Sequence, residues 1–202
     1  CKVWDDKGTE YLDLYGGHAV ISIGHAHPKY VEKISRQVAT LGFYSNSVIN
    51  TLQQSVAERL GRMSGYEDYS LFFINSGAEA NECGIKTARL WAAKEKGSDY
   101  YHIITLKNSF HGRTVTTLAA TGQDTFHTDF APLTEGFLYA EANNADSVEE
   151  LLKSHKCAAV MAEPVQGEGG VMPLTQEFME SLRALCDKYN TLLILDEVQT
   201  GN

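Results

Sequence analysis

"TLLILDEVQTGN" occupies residues 191–202. Four apolar residues, Leu192 to Leu195, run directly into two acids, Asp196 and Glu197. A short continuous apolar run reads as a strand buried on both faces, the kind found in parallel sheets. Carboxylates just past such a strand fall where open α/β sheets hold ligands, beyond the carboxyl ends of the strands. An acid there is partly desolvated and needs a positive partner. No Lys or Arg follows it. The partner is either a basic residue elsewhere in the fold or a ligand cation.

The same pattern recurs upstream. Residues 71–74 (LFFI), 102–106 (HIITL) and 158–162 (AAVMA) read as further strands. Helical periodicity separates them. One helix runs from about Ala78 to Lys94, with Ala80, Gly84, Ala88, Trp91 and Ala92 on one side. Asp146, with Glu149 three residues on, is expected to cap a helix through Leu152. Phe178, Leu182, Leu185 and Tyr189 stripe another. Ahead of these, residues 3–13 read as a hairpin turning at Asp6-Lys7-Gly8, where Gly8 can take positive φ. Pro28 opens a helix with Tyr30, Val31, Ile34 and Val38 on its apolar face. A further helix follows Thr51-Leu52-Gln53-Gln54, which has capping-box spacing. The alternation predicts an α/β fold, with a mostly parallel sheet and flanking helices.

Composition bounds the function. The chain has 202 residues, 43% of them hydrophobic, and a net charge of −9 from 17 basic and 26 acidic residues. That balance argues against a nucleic-acid backbone partner, which needs a basic face. No apolar run approaches a membrane span, and residues 1–6 are too polar for a signal peptide. Cys1, Cys83, Cys157 and Cys186 lie far apart without a CxxC pair, which predicts reduced thiols and a cytoplasmic setting. His25-Ala26-His27, with His18, His102 and His111, lacks zinc-site spacing, so no metal is expected. There is no G-x-S-x-G elbow for a hydrolase.

The strand ends carry the chemistry. Residues 75–81 (NSGAEAN) turn a strand into a helix N-terminus, where free N–H groups and the dipole favour an anion. Gly77 allows close approach and Ser76 offers a hydroxyl; the alternative is a plain N-cap. Residues 107–114 (KNSFHGRT) place Phe110 to stack on a flat ring and Arg113 to clamp a carboxylate; the alternatives are a core Phe and a surface ion pair. Residues 163–170 (EPVQGEGG) put three glycines beside Glu163 and Glu168, either site carboxylates or solvated loop acids, without the order of a dinucleotide site. An anion cradle, an aromatic platform, a carboxylate clamp and a buried acid facing a cation together fit pyridoxal 5'-phosphate (PLP). Asp196 would keep its pyridine nitrogen protonated.

"NSGAEAN", "NSFHGRT", "EPVQGEGG" and "LDEVQTG", in this order and with "GHAHP" at residues 24–28, resemble the class III aminotransferases of the fold type I PLP superfamily. Phe-His-Gly-Arg with "TLAATGQ" and "FAPLTEGF" is most similar to N-acetylornithine and N-succinylornithine aminotransferases. Ornithine aminotransferases typically carry Trp where His111 stands. The resemblance implies that Ser76, Gly77 and Ala78 hold the PLP phosphate, Phe110 stacks on the ring and Val198 belongs to the cofactor site. It further implies that Asp196 meets the pyridine nitrogen and Gln199 the ring hydroxyl. Arg113 would hold the substrate α-carboxylate, and Glu168 would shape the site for side-chain amines.

The same resemblance implies an N-terminal piece of the small domain over residues 1–45 and an incomplete PLP-binding large domain over 46–202. The catalytic Lys that holds PLP as a Schiff base is expected beyond residue 202, so the sequence is read as a fragment that would not transaminate alone. The implied reaction moves the terminal amino group of N-acetylornithine or N-succinylornithine to 2-oxoglutarate in arginine biosynthesis, in a homodimer. The alternatives are an ornithine- or 4-aminobutyrate-type aminotransferase, or an inactive binding protein of the same fold.

Overall fold

The computed structural model describes residues 1–45 and 47–201; residue 46, where the sequence reading opens the large domain, and Asn202 lie outside the described residues. The chain forms two compact units, Cys1–Phe73 and Ile74–Asn202.

In the first unit, β1 (Lys2–Trp4) pairs antiparallel with β2 (Glu10–Leu12). The turn forms as expected. Asp5 Oδ1 accepts from the N–H groups of Lys7 (2.9 Å) and Thr9 (2.8 Å), and Gly8 takes φ of 81°. A single turn, α1 (Gly16–Ala19), precedes α2 (Pro28–Leu41) and α3 (Thr51–Ser64). Pro28 stands at the start of α2, where its missing N–H breaks no helical bond. The cap of α3 is Asn50 rather than Thr51: its side-chain oxygen accepts from Leu52 and Gln53 N–H, so Thr51 is already helical. Neither helix buries a residue among those described.

The second unit is the α/β body. Its parallel sheet has the order β4-β3-β5-β8, built from β3 (His102–Leu106), β4 (Phe137–Ala140), β5 (Cys157–Ala162) and β8 (Leu192–Leu195). All six residues of β5 are buried, as expected of an inner strand covered on both faces. The pleat sends alternate side chains to opposite layers. Ile103, Ala159 and Met161 pack with Ile85, Ala88 and Ala92 of α4 (Gly77–Glu95). Ile104, Leu106, Val160 and Ala162 pack with α7 (Ala145–Ser154) and α8 (Gln176–Lys188). Between these, α5 (Val115–Ala120) and α6 (Asp124–His127) follow β3, and β6 (Val165–Gln166) pairs with β7 (Met172–Pro173) in the loop after β5.

Two further expectations are corrected. Residues 71–74 form no strand: they pair with nothing in the described sheets, and Phe72 is 70% exposed. Residues 137–140 supply the fourth strand, through the register Ile103↔Phe137 to Leu106↔Ala140. An apolar run becomes a strand only where a ladder partner meets it. The cap of α7 is Asn144, not Asp146; Asn144 is extended and accepts from Ser147 N–H at 3.1 Å.

Candidate active site

The loops after β3, β5 and β8 and the start of α4 converge on one cleft, as the topology of a parallel sheet requires. The cleft has a volume of about 80 Å³. Gly77, Phe110, His111, Glu163, Asp196 and Gln199 contribute to its walls, together with Ala78 and Val198.

Each wall has a local cause. Ser76, extended, caps α4 by accepting from Glu79 N–H at 3.2 Å. This is the plain cap that the sequence allowed, and it leaves the hydroxyl proton free to donate. Among the described residues, the N–H groups of Gly77 and Ala78 have no hydrogen-bond partner. They are the first-turn donors that a helix leaves for an anion. A side chain at residue 77 would not fit: its Cβ would stand 2.8 Å from both methyl carbons of Val198. Gly112 (φ 132°) turns the chain after His111, and a Cβ there would meet Thr117 Oγ1 at 2.6 Å.

The floor is a buried polar cluster. Asp196 is 7% exposed, His111 1%, Asn81 5% and Glu163 6%. His111 Nδ1 donates to Asp196 Oδ2 at 2.8 Å and Asn81 Nδ2 to the same oxygen at 2.7 Å. Among the described residues, Asp196 Oδ1 receives only the Val198 N–H, at 3.2 Å. Burial pushes the Asp196 carboxyl up, but the bond and charge attraction of His111, with the Asn81 and Val198 donors, outweigh it. The pKa lies below the usual value. Glu163 moves the opposite way: burial dominates, and the Phe110 N–H at 2.9 Å does not offset it. His111 Nε2 has no partner among the described residues.

The structure gathers Gly77, Ala78, Phe110, Asp196, Val198 and Gln199 around this cleft. Ser76 stands beside it as the α4 cap. Arg113 lines a second cavity, of about 300 Å³, with Val115, Leu118, Phe126, Phe130 and Leu133. Its guanidinium lies over the rings of Phe126 (4.9 Å) and Phe110 (5.7 Å) and makes no ion pair among the described residues. Phe110 and Phe126 touch edge to face, linking the two cavities. Glu168 is exposed, outside both linings, and accepts from Gln123 Nε2 at 2.6 Å. Among the described residues, no group of three or more His, Cys, Asp or Glu could hold a metal ion.

Sequence reading assigned no role to Asn81 and none of its own to His111. The signal for Asn81 was a polar residue on the inward stripe of α4 otherwise made by Ile85, Ala88 and Ala92.

The class-III aminotransferase family model matches residues 1–202. The chain belongs to that family. It is 46% identical over 200 residues to the acetylornithine aminotransferase of Caldanaerobacter subterraneus, covering 99% of this chain and 50% of the relative. It is 44% identical to the succinylornithine transaminase of Salmonella typhimurium, covering 99% and 48%. The ornithine aminotransferase of Toxoplasma gondii, a structure with partial occupancy of PLP at its active site, superposes with a TM-score of 0.92 at 35% identity, covering 99% and 47%. The chain thus spans about half the length of these relatives. The α/β sheet is that of a fold type I aminotransferase, and class-III aminotransferases are PLP-dependent.

The residues present fit that cofactor. The unpartnered N–H groups of Gly77 and Ala78 suit a phosphate. Phe110 and Val198 give apolar walls, and the Asp196 carboxylate retains an underused oxygen beside the cleft.

Proposed function

We propose that the whole protein is a PLP-dependent aminotransferase that moves the terminal amino group of an N-acylornithine to 2-oxoglutarate, giving the semialdehyde and glutamate. The observation that carries this reading is the Asp196 carboxylate, buried in the cleft yet held ionised by His111 and Asn81. When bound, PLP would supply an electron-withdrawing ring that accepts the electron pair left as the C–H bond breaks on the carbon bearing the transferred terminal amine. Asp196 holds the proton on the ring nitrogen, and burial strengthens that pairing. The α4 N-terminus and Ser76 bind the phosphate. Phe110 and Val198 exclude water from the ring, and Gln199 meets the ring hydroxyl.

Arg113 offers its fork to the substrate α-carboxylate. Among the described residues Arg113 pairs with no acid, and its cavity of mostly apolar side chains supports that role. Glu168 receives the amino side chain. The chain spans about half the length of its relatives; the site residues proposed here belong to the PLP-binding large domain, from 46 onward, and the catalytic Lys is not among them. The names of the curated relatives support the N-acylornithine substrates; arginine biosynthesis, a cytoplasmic setting and a homodimer are the further parts of this proposal.

The test is to add PLP to the whole protein, look for a visible cofactor band, and then assay N-acetylornithine and N-succinylornithine with 2-oxoglutarate. A band and glutamate formation are expected. A band with turnover only of free ornithine or 4-aminobutyrate would move the assignment to those substrates. No band would reject the reading.

A further inference from the structure

We propose that Asn81 is a positioning residue which, together with His111, directs the Asp196 oxygen presented to the ring nitrogen of the cofactor. This rests on the cofactor reading above. Asn81 sits one turn into α4, four residues beyond Gly77, on the face turned to the sheet. Its carboxamide nitrogen carries two protons, and both are used. One goes to Asp196 Oδ2 at 2.7 Å and the other to the His111 carbonyl at 2.8 Å. Both acceptors lack a proton, so the nitrogen must face them and the amide has only one satisfactory orientation.

The imidazole of His111 fills the remaining capacity of the same oxygen. Oδ2 then has two side-chain donors, while Oδ1 has one backbone N–H at 3.2 Å and room for another. An Asp carboxylate otherwise turns over a broad, nearly two-fold torsion and offers either oxygen. The two oxygens are equivalent, so what the pair of donors fixes is the plane of the carboxylate and the direction in which its other oxygen points. Asn81 also ties three segments together: α4, the loop after β3 and the end of β8. These are the elements from which the phosphate cradle, the aromatic wall and the acid are built. Asn81 therefore sets the acid in register with the phosphate site. Packing alone does not call for an amide there, because Ile85, Ala88 and Ala92 continue the same face.

Two measurements on the whole protein test this. In the wild type without cofactor, NMR should show both Asn81 side-chain amide protons exchanging slowly, with contacts to the His111 ring. Rapid exchange overturns the proposal whatever the cofactor does. With PLP added, Asn81→Ala should keep the visible band but move its midpoint on pH titration. Its kcat should fall about 10- to 100-fold, as for the loss of an outer partner that orients a ligand group. KM for the amino donor should stay within about twofold.

Asn81→Asp, which sets a second carboxylate against Asp196, should fall further. His111→Asn, which keeps a donor near the Nδ1 position, should retain more activity than His111→Ala. If Asn81→Ala keeps the wild-type midpoint and kcat, the positioning role is lost while the cofactor reading stands. If the wild type shows no band with PLP, the cofactor reading falls and takes this proposal with it. Should Asn81→Ala fail to fold, the exchange measurement on the wild type decides.

Discussion

Asp196 and Glu163 are both acids at strand ends, both buried to within a percentage point of each other at 7% and 6% exposure, and they shift in opposite directions. Burial therefore does not distinguish them. The difference lies in their donors. Asp196 has an imidazole, an amide and a backbone N–H aimed at it. Glu163 relies on backbone N–H groups and feels the negative charge of Asp196. A buried carboxylate stays charged where the fold aims donors at it and drifts toward neutrality where it does not. Of the two, only Asp196 suits a cation in the depth of the cleft.

The largest test of that contrast is Asp196→Ala in the whole protein. Turnover should drop about 100- to 1000-fold, typical of removing one preorganised charge at a reacting centre. PLP should still bind through the start of α4. Comparable turnover by variant and wild type would erase the distinction between the two acids. Next comes the cation set apart from both. Arg113→Ala should raise KM for α-carboxylate donors about 10- to 100-fold, the worth of a hydrogen bond to a charged group, with kcat little changed. An unmoved KM in steady-state assays would strip Arg113 of its clamp.

Gly77→Ala should cost about 1–3 kcal/mol of stability, because the new Cβ overpacks against Val198. Thermal or urea unfolding would read it, and an unchanged midpoint would mean that Val198 yields freely. The smallest effects concern pH. Asp196, depressed in the folded state, adds stability that is complete above its unfolded value near 3.8 and is lost as pH falls through its folded value. Glu163, raised, costs stability that sets in as pH rises above its unfolded value near 4.5. Glu163→Gln should therefore stabilise modestly at neutral pH and not below pH 4.5. A loss at neutral pH would mean that Glu163 is held charged after all.

Much of this was legible in the sequence, for identifiable reasons. The strands at 102–106 and 158–162 are almost wholly buried inside the sheet, so their apolar composition states their environment, and 192–195, an edge strand with Leu195 42% exposed, is still a continuous apolar run. Residues 71–74 have the same composition and no ladder, while 137–140 are a short, half-buried edge strand that local sequence barely announces. Pairing is a property of two segments, and neither alone encodes it. The caps went astray similarly: Asn50 and Asn144 each stand one or two residues ahead of the expected cap, and local spacing did not separate them. Site residues following strands were readable because the sheet delivers them to one end. Asn81 was not, because its partners lie 30 and 115 residues away.

The most direct measurement is nitrogen NMR of PLP labelled with ¹⁵N at its pyridine position and bound to the whole protein. At neutral pH the wild-type spectrum should show a protonated ring nitrogen, and Asp196→Ala a deprotonated one. A nitrogen with the same shift in both proteins would contradict the claim that this acid, held by His111 and Asn81, meets the positive ring.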